Sequence, residues 1–303
     1  MKRIIKLHRY EKNAILGPDI NHPWEAQNVS NAGATIYDDK VYLLYRAEGF
    51  EPRSKYQPWP IASLGMAVSS DGFNFQRFEK PAMEKTEAWY ENWAVEDPRI
   101  AKIDDMYYIT YVGTSLHGDN IALATTKDFK TFKRHGLLTP HINQRTSGLF
   151  PKKIGNKFVL IHRISPSMWI SFSEDLKTWT ETTCILSPKV GTWYDLKVGI
   201  GATPIELEDS WLIFWHAKDS NGAHGIYRLG VMWLDKDNPT KIIKFQEEPI
   251  LEVELDMERF GYYDNVVYTC GAVERDGKYL VYYGCADRVL CVATVPVEDC
   301  RLR

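Results

Sequence analysis

Five copies of one short pattern run through this chain, and they restrict its fold more than any other feature. The copies are NAGATIYDDKVYLLYRAEG from Asn31, EDPRIAKIDDMYYITYVGT from Glu96, SGLFPKKIGNKFVLIHRIS from Ser147, GATPIELEDSWLIFWHAKD from Gly201 and CGAVERDGKYLVYYGCADR from Cys270. Each joins an apolar-rich segment, a tight polar turn and a second segment crowded with Tyr, Val, Leu and Ile, residue types that favour strands. The turns (Asp38-Asp39, Asp104-Asp105, Gly155-Asn156, Glu208-Asp209, Asp276-Gly277) are mostly two-residue hairpin signals. Recurrence at roughly 50 to 70 residues is the spacing of propeller blades with insertions.

A second pattern follows three of the copies. AVSSDGFNFQRF, ATTKDFKTFKRH and SFSEDLKTWTET each carry a Ser/Thr-to-Asp turn with an aromatic four places after the Asp: Asp71 with Phe75, Asp128 with Phe132, Asp175 with Trp179. A variant holds the same place near Asp235. Two hairpins per blade account for nearly the whole chain, and helical periodicity is scarce. The expected fold is all-β, a five-bladed β-propeller forming a single domain over residues 1–303.

Composition narrows the function by exclusion. The formal net charge is -3 with Lys and Arg spread along the chain, so no basic stripe offers itself to nucleic acid. No apolar run has the length of a membrane span, and the basic N-terminus MKRIIKLHRYEKN lacks the apolar stretch of a signal peptide. Five cysteines (Cys184, Cys270, Cys285, Cys291, Cys300) with no C-x-x-C pair read as reduced structural thiols rather than a zinc site. The expectation is a cytoplasmic protein without metal or organic cofactor and without nucleic-acid or membrane partners. A homo-oligomer is compatible with the sequence, homodimers being the commonest kind.

Propellers gather their inner strands around a central channel, so residues at equivalent positions of different blades converge there. Seven residues beyond the second turn residue stand Arg46, Val112, Arg163, His216 and Gly284; eight residues before it stand Asn31, Asp97, Gly148, Gly201 and Thr269. One carboxylate, Asp97, thus shares a mouth with several bases. Arg145, Lys197 and Arg228 (beside Tyr227) add to the basic set. Arginine forks suit phosphate oxygens, and lysine adds a point charge. Inverting glycosidic hydrolysis needs two carboxylates, an acid for the leaving oxygen and a base for water. Phosphate as nucleophile needs no base, only a cationic cradle. One acid plus such a cradle is the signature expected of an inverting phosphorylase.

The motifs V-E-D-P-R-I around Asp97, F-P-x-K-x-x-x-K with I-H-R at Arg163, K-V-G-I-G-A-T-P-I at Lys197, W-H with Y-R-L-G at His216 and Tyr227, and N-V-V-Y-x-C-G-A-V with Y-Y-G-C-A-D at Asp287 together resemble glycoside hydrolase family 130. The resemblance runs from about Asn31 to Ala293. It implies a five-bladed propeller acting on β-mannosides, mostly by phosphorolysis and in a smaller branch by hydrolysis. It makes Asp97 the general acid, puts phosphate on Arg145, Arg163, Lys197, His216 and Tyr227, and puts the mannosyl unit on Arg46, Asp287 and Asn31. Inorganic phosphate is then a co-substrate, and the expected products are α-mannose 1-phosphate and a shortened sugar. The resemblance leans toward β-1,2-mannobiose or short β-1,2-oligomannosides, with β-1,4-mannosyl-glucose next. Tyr263-Asp264-Asn265 departs from the family pattern, in which many members carry a Pro before the Asn.

Each residue also has an ordinary reading. Asp97-Pro98 is a common turn opener, and Arg163, His216, Lys197 and Arg145 are open to structural hydrogen bonding or plain solvation. Glu96 is expected to support the site or cap a backbone group. His162 points away from Arg163 on a strand and is expected to be structural. Trp169, Trp179, Trp211, Trp215 and Trp233 read chiefly as core, whereas Trp59, Trp89 and Trp93 lie in loop-like stretches and are candidates for a sugar subsite. FEPRSKYQPWP, from Phe50 to Pro60, reads as an insertion between the hairpins of the first blade that caps the acceptor side. The rival functions are an inverting hydrolase of the same fold, either a β-1,2-mannosidase or an arabinanase-like enzyme, and a non-catalytic sugar-binding propeller. The hydrolase needs a second carboxylate near the axis, for which the repeat offers only Asp287.

Overall fold

In the computed structural model, which describes residues 4–55, 57–139, 143–222 and 224–302, every repeat becomes one antiparallel sheet. The five sheets occupy residues 28–77, 94–137, 147–186, 197–245 and 267–296, here blades one to five, and form a five-bladed β-propeller. Blade five takes its outermost strand from the other end of the chain: His8–Arg9 pairs with Val289–Pro296, His8 opposite Thr294. This splice closes the ring and was not foreseen from the sequence. No described helix is long and apolar enough to cross a membrane.

The expected turns close the inner hairpins. Asp38 and Asp39 (φ 49° and 54°), Gly155 and Asn156 (56° and 69°) and Asp276 and Gly277 (50° and 73°) all lie in the left-handed region that a two-residue turn between twisted strands requires. The innermost strands of blades three and four are shorter than the repeat suggested. They are Ser147–Leu149 and Lys197–Ile200, the latter lying ahead of the copy counted from Gly201. Pro151 and Pro204, with no N–H to give a ladder, follow closely.

Neighbouring blades bury a separate apolar cluster at each of their five junctions. In blade five, Tyr279, Val281, Tyr283 and Cys285 face blade four, while Leu280 and Tyr282 face blade one. Burial on both faces explains why these strands read as unbroken apolar runs rather than alternating ones. Trp211, Trp215 and Trp233 lie in these layers, while Trp169 and Trp179 are half-buried.

The outer hairpins turn as the second pattern implied. Oδ1 of Asp71, Asp128, Asp175 and Asp235 each accepts two backbone N–H bonds from the residues two and three places on. Two of the following aromatics anchor onto the preceding blade, Phe75 on Tyr282 and Trp179 Nε1 on the Leu138 carbonyl. A further repeat escaped the sequence reading. Tyr45, Tyr111 and Tyr283, at equivalent positions, donate to buried Glu25, Glu91 and Glu258. Each of these carboxylates also pairs with an arginine of an outer strand, Arg77, Arg134 and Arg9 respectively. The clamp ties the outermost strand of three blades to the second strand from the axis. Its glutamates lie outside the matched segments, so no spacing within the repeat pointed to them.

Candidate active site

A cavity of about 560 Å³ opens among residues contributed by all five blades. At its acid side stand Asn31 and Asp97, at equivalent positions of blades one and two. Both fall in bulges, where the ladder slips between Ser30 and Gly33 and between Glu96 and Arg99. Their φ values, 52° and 49°, are left-handed, a conformation Asn and Asp tolerate better than most residues. The bulge turns both side chains toward each other, and Asn31 Nδ2 donates to Asp97 Oδ1 at 2.9 Å. Arg46 Nη1 reaches the same oxygen at 3.3 Å, while its Nη2 lies 3.0 Å from Asp287 Oδ2. Asp97 Oδ2 has Arg145 Nη2 at 3.9 Å.

Glu96 and Arg145 are more deeply engaged than the sequence implied. Buried Glu96 pairs with Arg53, Arg145 and Arg46, and although burial opposes the charge, the three guanidiniums hold its carboxyl below the usual range. Arg145 is bound to Glu96 and, at 3.1 Å, to Asp119. It therefore bridges the acid side instead of standing free in the cradle. Glu48, two residues past Arg46 on the same strand face, also lines the cavity. Burial, aided by the charge of Glu96, pushes it up to about 7 against the pull of Arg46. The cavity thus contains Glu48, Glu96 and Asp119 beside Asp97 and Asp287, more carboxylates than the repeat alone suggested.

The opposite side is cationic. Arg163, Lys197 and His216 pair with no carboxylate among the described residues, and Arg163 Nη1, both ring nitrogens of His216 and Thr146 Oγ1 are buried without a hydrogen-bond partner there. They converge on Gly199: a Cβ at that position would lie 2.7 Å from His216 Nε2, 3.0 Å from Thr146 Oγ1 and 3.2 Å from Arg163 Nη1. Burial, reinforced by Arg163, Arg99 and Lys197, drives His216 well below the ordinary histidine range, so its ring is neutral and can donate one N–H. Lys197 is depressed to about 7, first by burial and then by Arg163, Lys218 and Arg145. Its ammonium lies 5.3 Å from the ring centre of Tyr227, which lines the cavity with Tyr268. His216 itself is fully buried, one layer behind the wall, its ring centre 4.1 Å from that of Tyr268.

Arg99, unnoticed in the sequence, braces both halves. Fully buried, it crosses from blade two to the carbonyls of Ile200 and Gly201 in blade four at 2.9 and 2.6 Å. It also touches the Asp97 carbonyl at 3.3 Å and the Tyr268 hydroxyl at 3.4 Å. Its place in V-E-D-P-R-I was the available signal. Arg228, expected among the bases, is elsewhere: its guanidinium is taken by Asp219 at 2.7 Å and Glu252 at 3.1 Å. As a neighbour of Tyr227 on a strand it points to the other face. His162 is structural, held by Gln144 and Ser171 at 2.8 Å each. Trp59 and Trp93 line the cavity, whereas Trp89 packs edge-on against Tyr90 and His117. Residues 50–55 and 57–60 are no loop inserted between hairpins. They extend the central hairpin of blade one, Pro52 opposite Pro60 and Ser54 opposite Gln57, and carry Arg53 and Trp59 to the cavity.

A propeller whose axial cavity sets a group of carboxylates against a cationic cradle defines a carbohydrate-active enzyme that works with an anion. A family model described as β-1,4-mannooligosaccharide phosphorylase matches residues 6–300. The chain is 43% identical to a 1,2-β-oligomannan phosphorylase of Thermoanaerobacter sp. (strain X514), covering 98% of this chain and 99% of that one. It is 41% identical to a β-1,2-mannobiose phosphorylase of the same organism, covering 97% and 99%. The solved β-1,2-mannobiose phosphorylase of Listeria innocua, in complex with β-1,2-mannobiose, superposes with a TM-score of 0.87 at 26% identity, covering 97% of this chain and 98% of that one. The chain belongs to glycoside hydrolase family 130 and is a mannoside phosphorylase.

Proposed function

We propose that the chain cleaves β-1,2-mannobiose or short β-1,2-oligomannosides with inversion, inorganic phosphate attacking the anomeric carbon directly. The observation that carries this reading is the sorting of basic side chains into paired and unpaired sets. Arg46 and Arg145 are bound to carboxylates, whereas Arg163, Lys197 and His216 keep their donors for an anion. A hydrolase would have no use for that second set. Asp97 serves as general acid: a phosphate oxygen forms the bond to C1, the C1–O bond to the leaving sugar breaks, and the proton passes to that oxygen. Asn31 and Arg46 hold Oδ1, which turns Oδ2 to the reacting side. Arg46 and Asp287 orient the mannosyl unit, and Tyr227 and Tyr268 wall the phosphate side. The β-1,2 linkage is supported by the names of the relatives at 43% and 41% identity.

The test is incubation with β-1,2-mannobiose with and without inorganic phosphate, followed by phosphorus NMR. Phosphate-dependent α-mannose 1-phosphate is the expected product. Mannose released equally without phosphate would make the enzyme a hydrolase. Turnover only of β-1,4-linked mannosides would refute the linkage and leave phosphorolysis standing.

A further inference from the structure

The cationic side of the cavity continues outward to a lysine that no motif singled out. Lys197 and Lys218 are direct cross-strand partners in blade four, and Lys218 is in turn opposite Tyr227. Their ammonium groups flank the Tyr227 ring at 5.3 and 5.7 Å from its centre. Like charges placed directly opposite on neighbouring strands are destabilising; among the described residues neither lysine forms an ion pair, and Asp287 only partly offsets the charge of Lys197. Asp219 is committed to Arg228, Asn221 and the Ile226 N–H, and Asp195 to Ser220. Lys218 pairs with no carboxylate among the described residues; its Nζ donates instead to the Tyr263 hydroxyl at 2.8 Å. Tyr263 lines the cavity and belongs to the segment that departs from the family pattern.

The positions form a row. His216 and Lys218 alternate on one strand and so share a face, with Gly199 opposite the first and Lys197 opposite the second. His216 is fully buried behind the cavity wall, and Lys218 is half-buried beside Tyr263, which lines the cavity. Lys218 and Lys197 thus stand in line on the strand face that leads to His216. We propose that Lys218, steered by Tyr263, is the outer phosphate-binding residue, capturing inorganic phosphate together with Lys197 before it seats against Arg163 and His216. This rests on the phosphorolytic reading above and assigns the anion its way in.

The experiment compares Lys218→Met, Lys218→Arg and Tyr263→Phe with the wild type in steady-state phosphorolysis. Inorganic phosphate and mannoside are varied separately at low and moderate salt. Lys218→Met is expected to raise the phosphate KM about tenfold, as loss of one charge-assisted contact implies. The kcat and the sugar KM stay within about twofold, and Lys218→Arg retains most of the affinity. The salt dependence of kcat/KM for phosphate flattens, since a steering charge is gone. Removing Lys218 also relieves Lys197 of a repulsive neighbour, so the pH at which phosphate binding weakens moves upward. A purely structural lysine would not raise the phosphate KM selectively, whatever its removal does to the titration of Lys197. An unchanged phosphate KM, or equal rises for phosphate and sugar, overturns the proposal. Should Lys218→Met not fold, Tyr263→Phe decides the matter: a rise of about threefold in the phosphate KM alone supports it, and none overturns it. Wild-type turnover without phosphate would instead refute the underlying reading.

Discussion

Gly199→Ala probes the cradle with a single methyl group. Gly199 is not among the residues with positive φ, so the substitution strains no backbone and acts through space alone. The added Cβ would meet His216 Nε2 at 2.7 Å, Thr146 Oγ1 at 3.0 Å and Arg163 Nη1 at 3.2 Å. Relaxed contacts sit nearer ~3.5 Å, so at least one neighbour must retreat by roughly half an ångström or more. His216 has little room, being fully buried against Tyr268. The Arg163 terminus can swing, and the cradle opens. Overpacking of this kind costs about 1–3 kcal/mol, a fall in Tm of about 2–5 °C for a chain of this size. The catalytic effect is larger, because misplacing a binding group by about 1 Å can cost on the order of 10²-fold. Phosphorolysis with phosphate and mannoside varied in turn is expected to show kcat/KM for phosphate falling on that scale. The sugar KM should hold, since Asn31, Arg46 and Asp287 lie across the cavity. A folded Gly199→Ala enzyme with a normal phosphate KM would refute the placement of phosphate on Arg163 and His216.

Further outcomes follow from the same geometry. Asp97→Asn is expected to keep its melting temperature yet lose about 10²–10⁴-fold in kcat; near-normal turnover of an unactivated mannoside would remove Asp97 from the chemistry. Because Lys197 is depressed to about 7, its charge is present below that pH and lost above it. The kcat/KM for phosphate should therefore fall as pH rises through about 7, and Lys197→Met should abolish that limb. Lys197 has the lower pKa in the folded state, so it burdens stability fully below about 7 and progressively less above it. Lys197→Met is accordingly expected to melt higher at pH 6. Arg99→Met leaves the carbonyls of Ile200 and Gly201 buried without their donor and should cost about 2–4 kcal/mol in urea unfolding. It should also depress kcat, since Arg99 braces the Asp97 backbone; unchanged stability would show that the brace is dispensable.

Much of this molecule was legible in its residues because the information is local. A two-residue turn and the strands beside it are set by neighbours in sequence, and five repetitions of that unit leave a propeller as the economical way to bury both faces. Equivalent blade positions then set Asn31, Asp97 and Arg46 in one hydrogen-bonded cluster and Arg163 and His216 around Gly199 on the opposite side. What tertiary structure alone decided is which charges are spent and which are available. Arg145, Arg163 and Arg228 look alike in sequence, yet one neutralises Glu96 and Asp119, one faces an open cradle, and one is tied to Asp219 and Glu252. The splice of His8–Arg9 onto blade five and the span of Arg99 from blade two to blade four join positions far apart in the chain. Such pairings depend on how whole blades are set around the axis. A pKa is decided there too: Lys197 reads as an ordinary lysine until packing strips its water and puts Arg163 and Lys218 beside it.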